Sequence, residues 1–444
     1  MIISNISPFR APVNLNSEKV SRIADSDPLR LTMNVTGLKQ FFGDEFVSYI
    51  DDYDSGYTSI SSDLIPPFFR NVISYRFEGK DDGFLGKAIG NFASSWHCNK
   101  VELSIHLYDD TISLLKIDLH YPHGADDDFL AMDLEKFDAE VTAFSKYIYK
   151  EHILKRMNSV QNIKKLSVNN KMIMRYNKYL VFNDVNFGES NTGNEILLWT
   201  GRFIFVDDAD FCNQDLRDKL LNWARCALSD LQSDRTSRFF IGSGNSLVVC
   251  AQDCVDSWIK VLKICQFYYA ILFVFKIILK KSYFGLQKEN FRSVRRKERS
   301  RLLDVVDKRI NHLRFIRLEF LDLKRGLQAE RRKIIDYVCD SWKLEDLESG
   351  TFEREELISG RVSKIFMDLD KKNSRAIKLI LSSIGVVSIV DIVLNFISTS
   401  ENVFEDKYTG LLDLFKWSPP DVSIYVSVAI VALVFLFINR REGG

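Results

Sequence analysis

The chain has 444 residues, equal numbers of acidic and basic side chains (60 of each) and an apolar content of 46%. Zero formal net charge excludes the basic excess of a general nucleic-acid binder, so no nucleic-acid partner is expected. With only eight prolines the chain is also no disordered polymer, and its near-average apolar content leaves the placement of apolar residues to decide between a soluble and a membrane protein.

Seven cysteines, at 98, 212, 226, 250, 254, 265 and 339, have no regular spacing and do not form a disulfide framework. All precede the C-terminal apolar segments, as expected of a portion held in a reducing cytoplasm. The stretch Met1–Asn14 lacks the basic-then-apolar layout of a signal peptide, so export of the N-terminal part is not expected.

The first 90 or so residues carry no clear pattern. Val101–Leu107 and Thr111–Tyr121 alternate around Asp109-Asp110 and predict a hairpin. Tyr179–Phe187 and Glu195–Val206 flank a Gly/Asn/Ser/Thr-rich turn and predict a second hairpin. Asp210–Leu231 reads as a helix with Leu216, Leu220, Leu221, Trp223 and Leu228 on its apolar side. Phe239–Val249 reads as a strand interrupted by Gly242-Ser243-Gly244-Asn245. Grouped strands followed by helices predict an α+β or α/β domain over residues 1–250.

Chemistry-bearing groups in this domain are weakly organised. His97, Cys98, His120 and His123 lie near Asp126, Asp127 and Asp128, but without an established zinc-ligand spacing, and no metal site is assigned. The Gly242–Asn245 turn lacks the Lys-Ser/Thr of a phosphate loop. Cys250 and Cys254 read as helix-packing residues, and no nucleophile and base stand out, so no catalytic residue and no enzymatic activity are assigned.

Residues 251–375 read as a helical stalk. Ile264–Phe275 is apolar but is bracketed by Lys263 and Lys276, too short for a membrane span, and predicts a buried helix. From Gln287 to Trp342 there is no proline and one glycine, Gly326. Val306, Leu313, Phe320, Leu327 and Ile334 recur every seven residues, and Ile316, Leu323 and Tyr337 fall three places after members of that series. This heptad stripe predicts lengthwise, coiled-coil-like packing. The basic run Arg292, Arg295, Arg296, Lys297, Arg299 and Arg301 covers all sides of a helix, which favours a solvated surface over contact with anionic lipid, a polyanion or nucleic acid. Glu348-Ser349-Gly350 predicts a break, after which helix runs from Phe352 into the first apolar segment.

Residues 376–398 and 422–438 each approach the roughly 20 apolar residues that cross a hydrocarbon core. The second is uncharged. The first carries Lys378 and Asp391, which join Ser382, Gly385, Ser388, Asn395 and Ser398 at spacings of three and four, one continuous helix face. Such a stripe turns toward a bundle interior or a water-filled path, or else packs on a neighbouring helix through its small residues. Lys371, Lys372 and Arg375 before it, and Arg440 and Arg441 after the second segment, place both flanks and the tail 439–444 in the cytoplasm. The loop 399–421, rich in Glu401, Glu405, Asp406, Asp413 and Asp421, then lies outside a plasma (inner) membrane. As a ring it would concentrate cations, and as an ordinary loop it is merely solvated.

The order of these elements resembles the CorA family of magnesium transporters and channels. The family's Gly-Met-Asn motif at the outer end of its first membrane helix is matched by Val393-Leu394-Asn395, where only the asparagine carries over, followed by Phe396. The resemblance implies a homopentamer in membrane lipid whose first membrane helix lines the pore, and Mg2+ or another divalent cation as permeant or regulatory ion. Asn395 would hold a hydrated cation, and Asp391 would add a carboxylate ring. CorA-like proteins also act as membrane effectors of type III CRISPR antiviral defence, which would make a nucleotide second messenger the ligand. The reading is therefore an α+β or α/β cytoplasmic domain, a helical stalk and two C-terminal transmembrane helices. Pore-lining positions are Ser382, Gly385, Ser388, Asp391, Asn395 and Ser398. A ligand-gated cation channel, a nucleotide-triggered effector and a non-conducting membrane-anchored scaffold are the three expectations that follow.

Overall fold

In the computed structural model the described residues are 1–10, 13–15, 46–52, 71–78, 83–108, 112–122, 127–155, 180–182, 197–287, 296–327 and 329–400, with isolated positions beyond 418. The chain divides into two compact units, Met1–Ile358 and Ser359–Gly444.

The first unit is built on a nine-stranded mixed sheet. Its strands are β1 (Ile2–Phe9), β3 (Phe46–Asp52), β4 (Asn71–Phe77), β5 (Lys100–Leu107), β6 (Ser113–His120), β8 (Gly201–Val206), β9 (Gln232–Ser233), β10 (Ser237–Ile241) and β11 (Asn245–Cys250). Their order is β3-β4-β5-β6-β1-β8-β11-β10-β9. Two short strands, β2 (Val13–Leu15) and β7 (Leu180–Phe182), pair separately. The N-terminal segment, opaque to pattern reading, supplies the central strand. Every residue of β1 is buried, because both faces of the sheet are covered there. A strand buried on both sides loses the alternation that would have announced it.

Helices α1 (Phe84–Ser95), α3 (Leu134–Ile148) and α5 (Gln214–Ala224) cover one face, with α2 (Asp127–Ala131) and α4 (Asp208–Phe211) as short neighbours. Leu115, Ile117, Phe144 and Ile148 make one part of that core; Ile3, Ile204, Leu216, Leu220 and Leu247 make another. Asp133 and Asn213 cap α3 and α5 by accepting from the first-turn N–H groups. Across the sheet, α6 (Val255–Gly285) runs against β1 and β6. Tyr108 stacks on Phe267 at 4.6 Å, and Trp199 Nε1 donates to Gln266 Oε1 at 2.6 Å. A Cβ at Gly201 would stand 2.5 Å from Gln266 Nε2, so a larger residue there would have to displace the Gln266 amide from its bond to Trp199.

The Ile264–Phe275 stretch is thus a buried helix, longer than its apolar run. The enclosing segment, Gln252–Gly285, is the one described helix that passes a length-and-composition test for crossing a membrane, and most of it is buried within the fold. The β5–β6 hairpin forms as the alternation predicts, with Lys100 opposite His120. Among the described residues the second expected hairpin does not form. Leu180–Phe182 pairs with Val13–Leu15, while β8 sits between β1 and β11. The turn-like composition between the two segments signals a loop without saying which partners its ends will find. The expected helix over Asp210–Leu231 is also shorter. Arg225 adopts φ 57° and ends α5, and Leu228 is half exposed.

The stalk is three helices: α7 (Arg296–Gly326), α8 (Ala329–Ser341) and α9 (Leu344–Ser400). Gly326 closes α7, so the single long helix expected there is two. Val306, Leu313, Ile316, Phe320, Leu323, Leu327 and Ile334 of the heptad stripe are buried, with Tyr268 of α6 stacked on Phe320 at 3.9 Å, while Tyr337 is partly buried against Phe239. No break occurs at Glu348-Ser349-Gly350, because α9 passes straight through it. The turn falls at Trp342-Lys343, where Lys343 has φ 49°. A glycine in mid-helix costs about 1 kcal/mol, which neighbouring packing readily outweighs. The side chains of the basic run before Leu303, nearly all of the 399–421 loop and most of 422–438 lie outside the described residues.

Candidate pore helix and ligand cleft

The residues singled out as pore-lining all lie on α9, within the second compact unit. Ser388, Asp391, Asn395 and Ser398 are exposed, and Ser382 and Gly385 are partly so. At about 100° per residue, Ser388, Asp391, Asn395 and Ser398 share one side of the helix, and Gly385 and Ser382 stand progressively further round it. Ser388 Oγ donates back to the Ile384 carbonyl at 3.0 Å, and Thr399 Oγ1 to the Asn395 carbonyl at 2.7 Å. Such bonds hide a hydroxyl's polarity on its own helix and leave its lone pairs outward. A Cβ at Gly385 would meet nothing within 4 Å, so no contact among the described residues requires glycine there. Of the motif remnant, Leu394 and Asn395 are exposed; the side chain of Val393 lies outside the described residues.

Between Ile377 and Leu394 the described large apolar side chains of this helix are uncovered. Ile377, Ile380, Leu381, Ile384, Ile389, Ile392 and Leu394 are 46–61% exposed. Exposed side chains of this size at nearly every turn form a surface far beyond scattered apolar residues. At its base, in the first unit, α9 is tied to α7. Arg314 Nη2 meets Glu355 Oε1 at 2.6 Å, Arg317 Nε meets Glu348 Oε1 at 2.6 Å, and the Arg317 guanidinium stands 4.3 Å over the Phe352 ring. Glu355 is buried, so loss of Arg314 would leave a buried carboxylate without its charge partner.

The histidine and cysteine group near residue 120 does not assemble. His120 Nε2 is 3.8 Å from Glu102 Oε1, and Cys98 donates to the Ala93 carbonyl at 3.6 Å, with burial pushing its thiol up to about 11. Among the described residues no three ligand-type side chains come together, and His123 and Asp126 are outside them. Cys250 ends β11 and Cys254 a single turn before α6, so the pair does not pack within one helix.

A polar cleft of about 670 Å³ opens instead between α3, α5 and the β10–β11 turn. Its floor is a connected network. The parallel register sets Arg202 of β8 beside Asn245 of β11. Arg202 Nη1 donates to Asn245 Oδ1 at 3.1 Å and Nη2 to Thr142 Oγ1 at 2.9 Å, while Nε lies 3.5 Å from Asp138 Oδ1. Asp138 Oδ2 accepts from Trp223 Nε1 at 3.0 Å and from Asn245 Nδ2 at 3.1 Å. Burial raises the Asp138 pKa, outweighing the lowering by Arg202, Asn245 and Trp223. Glu135 and Arg225 stand at the rim, exposed, with no side-chain hydrogen bond or ion pair among the described residues. From the stalk, Trp342 Nε1 donates to the Gly242 carbonyl at 2.9 Å. The sequence signals for this cleft were the Gly242–Asn245 turn, read only as a failed phosphate loop, and an unremarkable Arg202 about forty residues earlier.

Comparison with family models, with curated proteins and with solved structures finds no match to this chain.

Proposed function

We propose that this protein is a CorA-like membrane cation channel assembled from several copies. In this reading α9 crosses the membrane as the first of two C-terminal spans, and the second follows at 422–438. Ser382, Gly385, Ser388, Asp391, Asn395 and Ser398 face the pore, and ligand binding to the first unit sets its opening. The observation that carries the reading is the surface of α9: exposed isoleucine and leucine at the described positions between 377 and 394, with the exposed polar groups Ser388, Asp391, Asn395 and Ser398 on one side. Burying a side chain of this size is worth roughly 1.5–3 kcal/mol each, so a surface of this extent calls for lipid or protein cover. Lipid covers the apolar side, and the polar line, with its intramembrane carboxylate, then turns toward other copies and water. Rings of Asp391 and Asn395 side chains would draw cations and replace part of their hydration.

The test is cation flux into vesicles reconstituted with the full chain. Asp391→Ala and Asn395→Ala together should reduce flux by at least about tenfold, the scale of about 1.4 kcal/mol at the barrier. Unchanged flux, or no flux under any condition, would refute the channel reading.

A further inference from the structure

We propose that the cleft between α3, α5 and the β10–β11 turn binds a small zwitterionic molecule, carrying one anionic and one ammonium group, and that occupancy is passed through Trp342 to the start of α9. The ligand assignment stands on the cleft alone; the functional meaning of the coupling rests on the channel reading.

Charge is the first argument. Arg202 and Arg225 face Glu135 and Asp138 in the same cleft. Equal numbers of each sign disfavour a polyanion, which would meet two carboxylates, and a simple cation, which would meet two guanidinium groups. Two of the four charges are already engaged with each other in the floor, Arg202 with Asp138. The other two, Arg225 and Glu135, have no partner among the described residues and stand on the α5 and α3 sides of the opening. A ligand with one charge of each sign pairs both and leaves none unmatched.

Construction is the second. The floor is held by bonds from α3, β8, α5 and β11, so its polar groups are oriented before any ligand arrives. Preorganisation of this kind lowers the ordering cost of binding. Arg225 occupies the left-handed position that ends α5, where glycine or asparagine is the usual and less strained choice. An arginine there projects its charge at the cleft mouth, and no contact within the described fold uses it. A volume of about 670 Å³ suits a ligand of dipeptide size rather than a single ion. Phe240, half-buried, offers an apolar wall.

Connection is the third. A Cβ at Gly242 would collide with the Asn245 carbonyl, so the turn is tight and ties Gly242 closely to Asn245 of the cleft floor. Its Gly242 carbonyl receives the Trp342 indole N–H, and Trp342 also meets Tyr269 of α6 edge-on at 6.1 Å. Lys343 and Leu344 follow at once, so a shift of the turn acts on the residue pair that starts α9.

The experiment uses the full chain in lipid nanodiscs and three probes of one shape: glycyl-phenylalanine, its N-acetyl form (anion only) and its C-terminal amide (cation only). Calorimetry should show the zwitterion binding at least about tenfold more tightly than either capped form, the scale of one charge-assisted hydrogen bond. Arg225→Gln should lower its affinity to that of the amide, and Glu135→Gln to that of the acetyl form, with unchanged melting temperature. Equal binding of the three probes, or none, overturns the ligand assignment. Hydrogen exchange reads the coupling without reference to conductance. The zwitterion should slow exchange in the β10–β11 turn and at residues 342–347, and Trp342→Phe should confine that slowing to the turn. Protection that spreads equally in the variant overturns the coupling, and a chain that binds the probe but carries no ions would refute the channel reading alone.

Discussion

Two apolar helices in this chain have met opposite fates. The middle of α6 is buried between the sheet and the stalk, with Val261, Leu262, Ile271 and Leu272 wholly inaccessible. In the corresponding turns of α9, the described residues Ile377, Ile380, Leu381, Ile384, Ile389, Ile392 and Leu394 are exposed. Composition does not separate them, since both are runs of Ile, Leu, Val and Phe with an occasional charge. Partners do. Helix α6 has strands β1 and β6 on one side and α7 and α8 on another, and its Lys263 is itself buried. The apolar part of α9 has no such cover within the described residues, and its last polar groups, Ser388, Asp391, Asn395 and Ser398, share one side of the helix. An apolar helix reports only that it must be covered; periodicity of the polar residues says by what.

The sharpest way to break this contrast is to place the same charge in each helix. Leu272→Arg buries an unpaired guanidinium in the first unit, where loss of a folded core is expected: about 4 kcal/mol or more, read as loss of the cooperative melt and gain of protease sensitivity. Leu381→Arg, at a site 61% exposed, should leave that melt unchanged. It should instead weaken retention in carbonate-washed membranes, by roughly 2.5–3.5 kcal/mol of insertion free energy. Equal retention of wild type and Leu381→Arg would mean that α9 is covered by protein and not by lipid.

A smaller pair sharpens the same distinction inside the stalk. Phe320→Ala empties a fully packed site against Tyr268 and should cost about 3–5 kcal/mol in denaturant unfolding. Leu318→Ala, two residues away and 60% exposed, should fall within about 0.5 kcal/mol. A large loss at Leu318 would instead mark that face of α7 as covered in an assembly of chains.

How much of this was legible follows from the range of the forces involved. The α7 stripe was readable because its period is set by one helix and one neighbour. The β5–β6 hairpin was readable because its strands are close in sequence and alternate. The pairing of β8 with β1 and β11, nearly 200 and 43 residues away from Arg202 in Asn5 and Asn245, was not, because no local pattern encodes a distant register. Buried polar rungs added to the difficulty. Ser74 Oγ lies 2.7 Å from His106 Nδ1, Ser104 Oγ 3.0 Å from His106 Nε2, and Ser4 donates to Asp118 at 2.6 Å, all at positions where sequence suggests solvent. The cleft was illegible for the same reason. Asp138, Arg202, Trp223 and Asn245 come from four separate elements, and only tertiary pairing makes them one network. The polar line on α9 was readable as spacing, while its role depends on copies of the chain that a single sequence does not display.

The smallest expected effect belongs to Asp138, and it probes the first unit alone. Its pKa lies above the ordinary carboxylate value of 3.8, chiefly because burial disfavours the charged form. The native state therefore holds this proton in a pH range where the unfolded chain has released it. In that range the native state binds more protons than the unfolded state, so this group's contribution to stability falls as pH rises from the ordinary value through the raised one. Below both values the contribution is constant, and above both the penalty is complete. Asp138→Asn removes the titration while keeping an oxygen to accept from Trp223 and Asn245, at the cost of the Arg202 ion pair. The melting temperature of the variant relative to wild type should then climb as pH rises across the acidic range and level off above it. A difference that moves the other way would mean that Arg202 governs Asp138 more strongly than burial does, and that the cleft floor is held by a full ion pair.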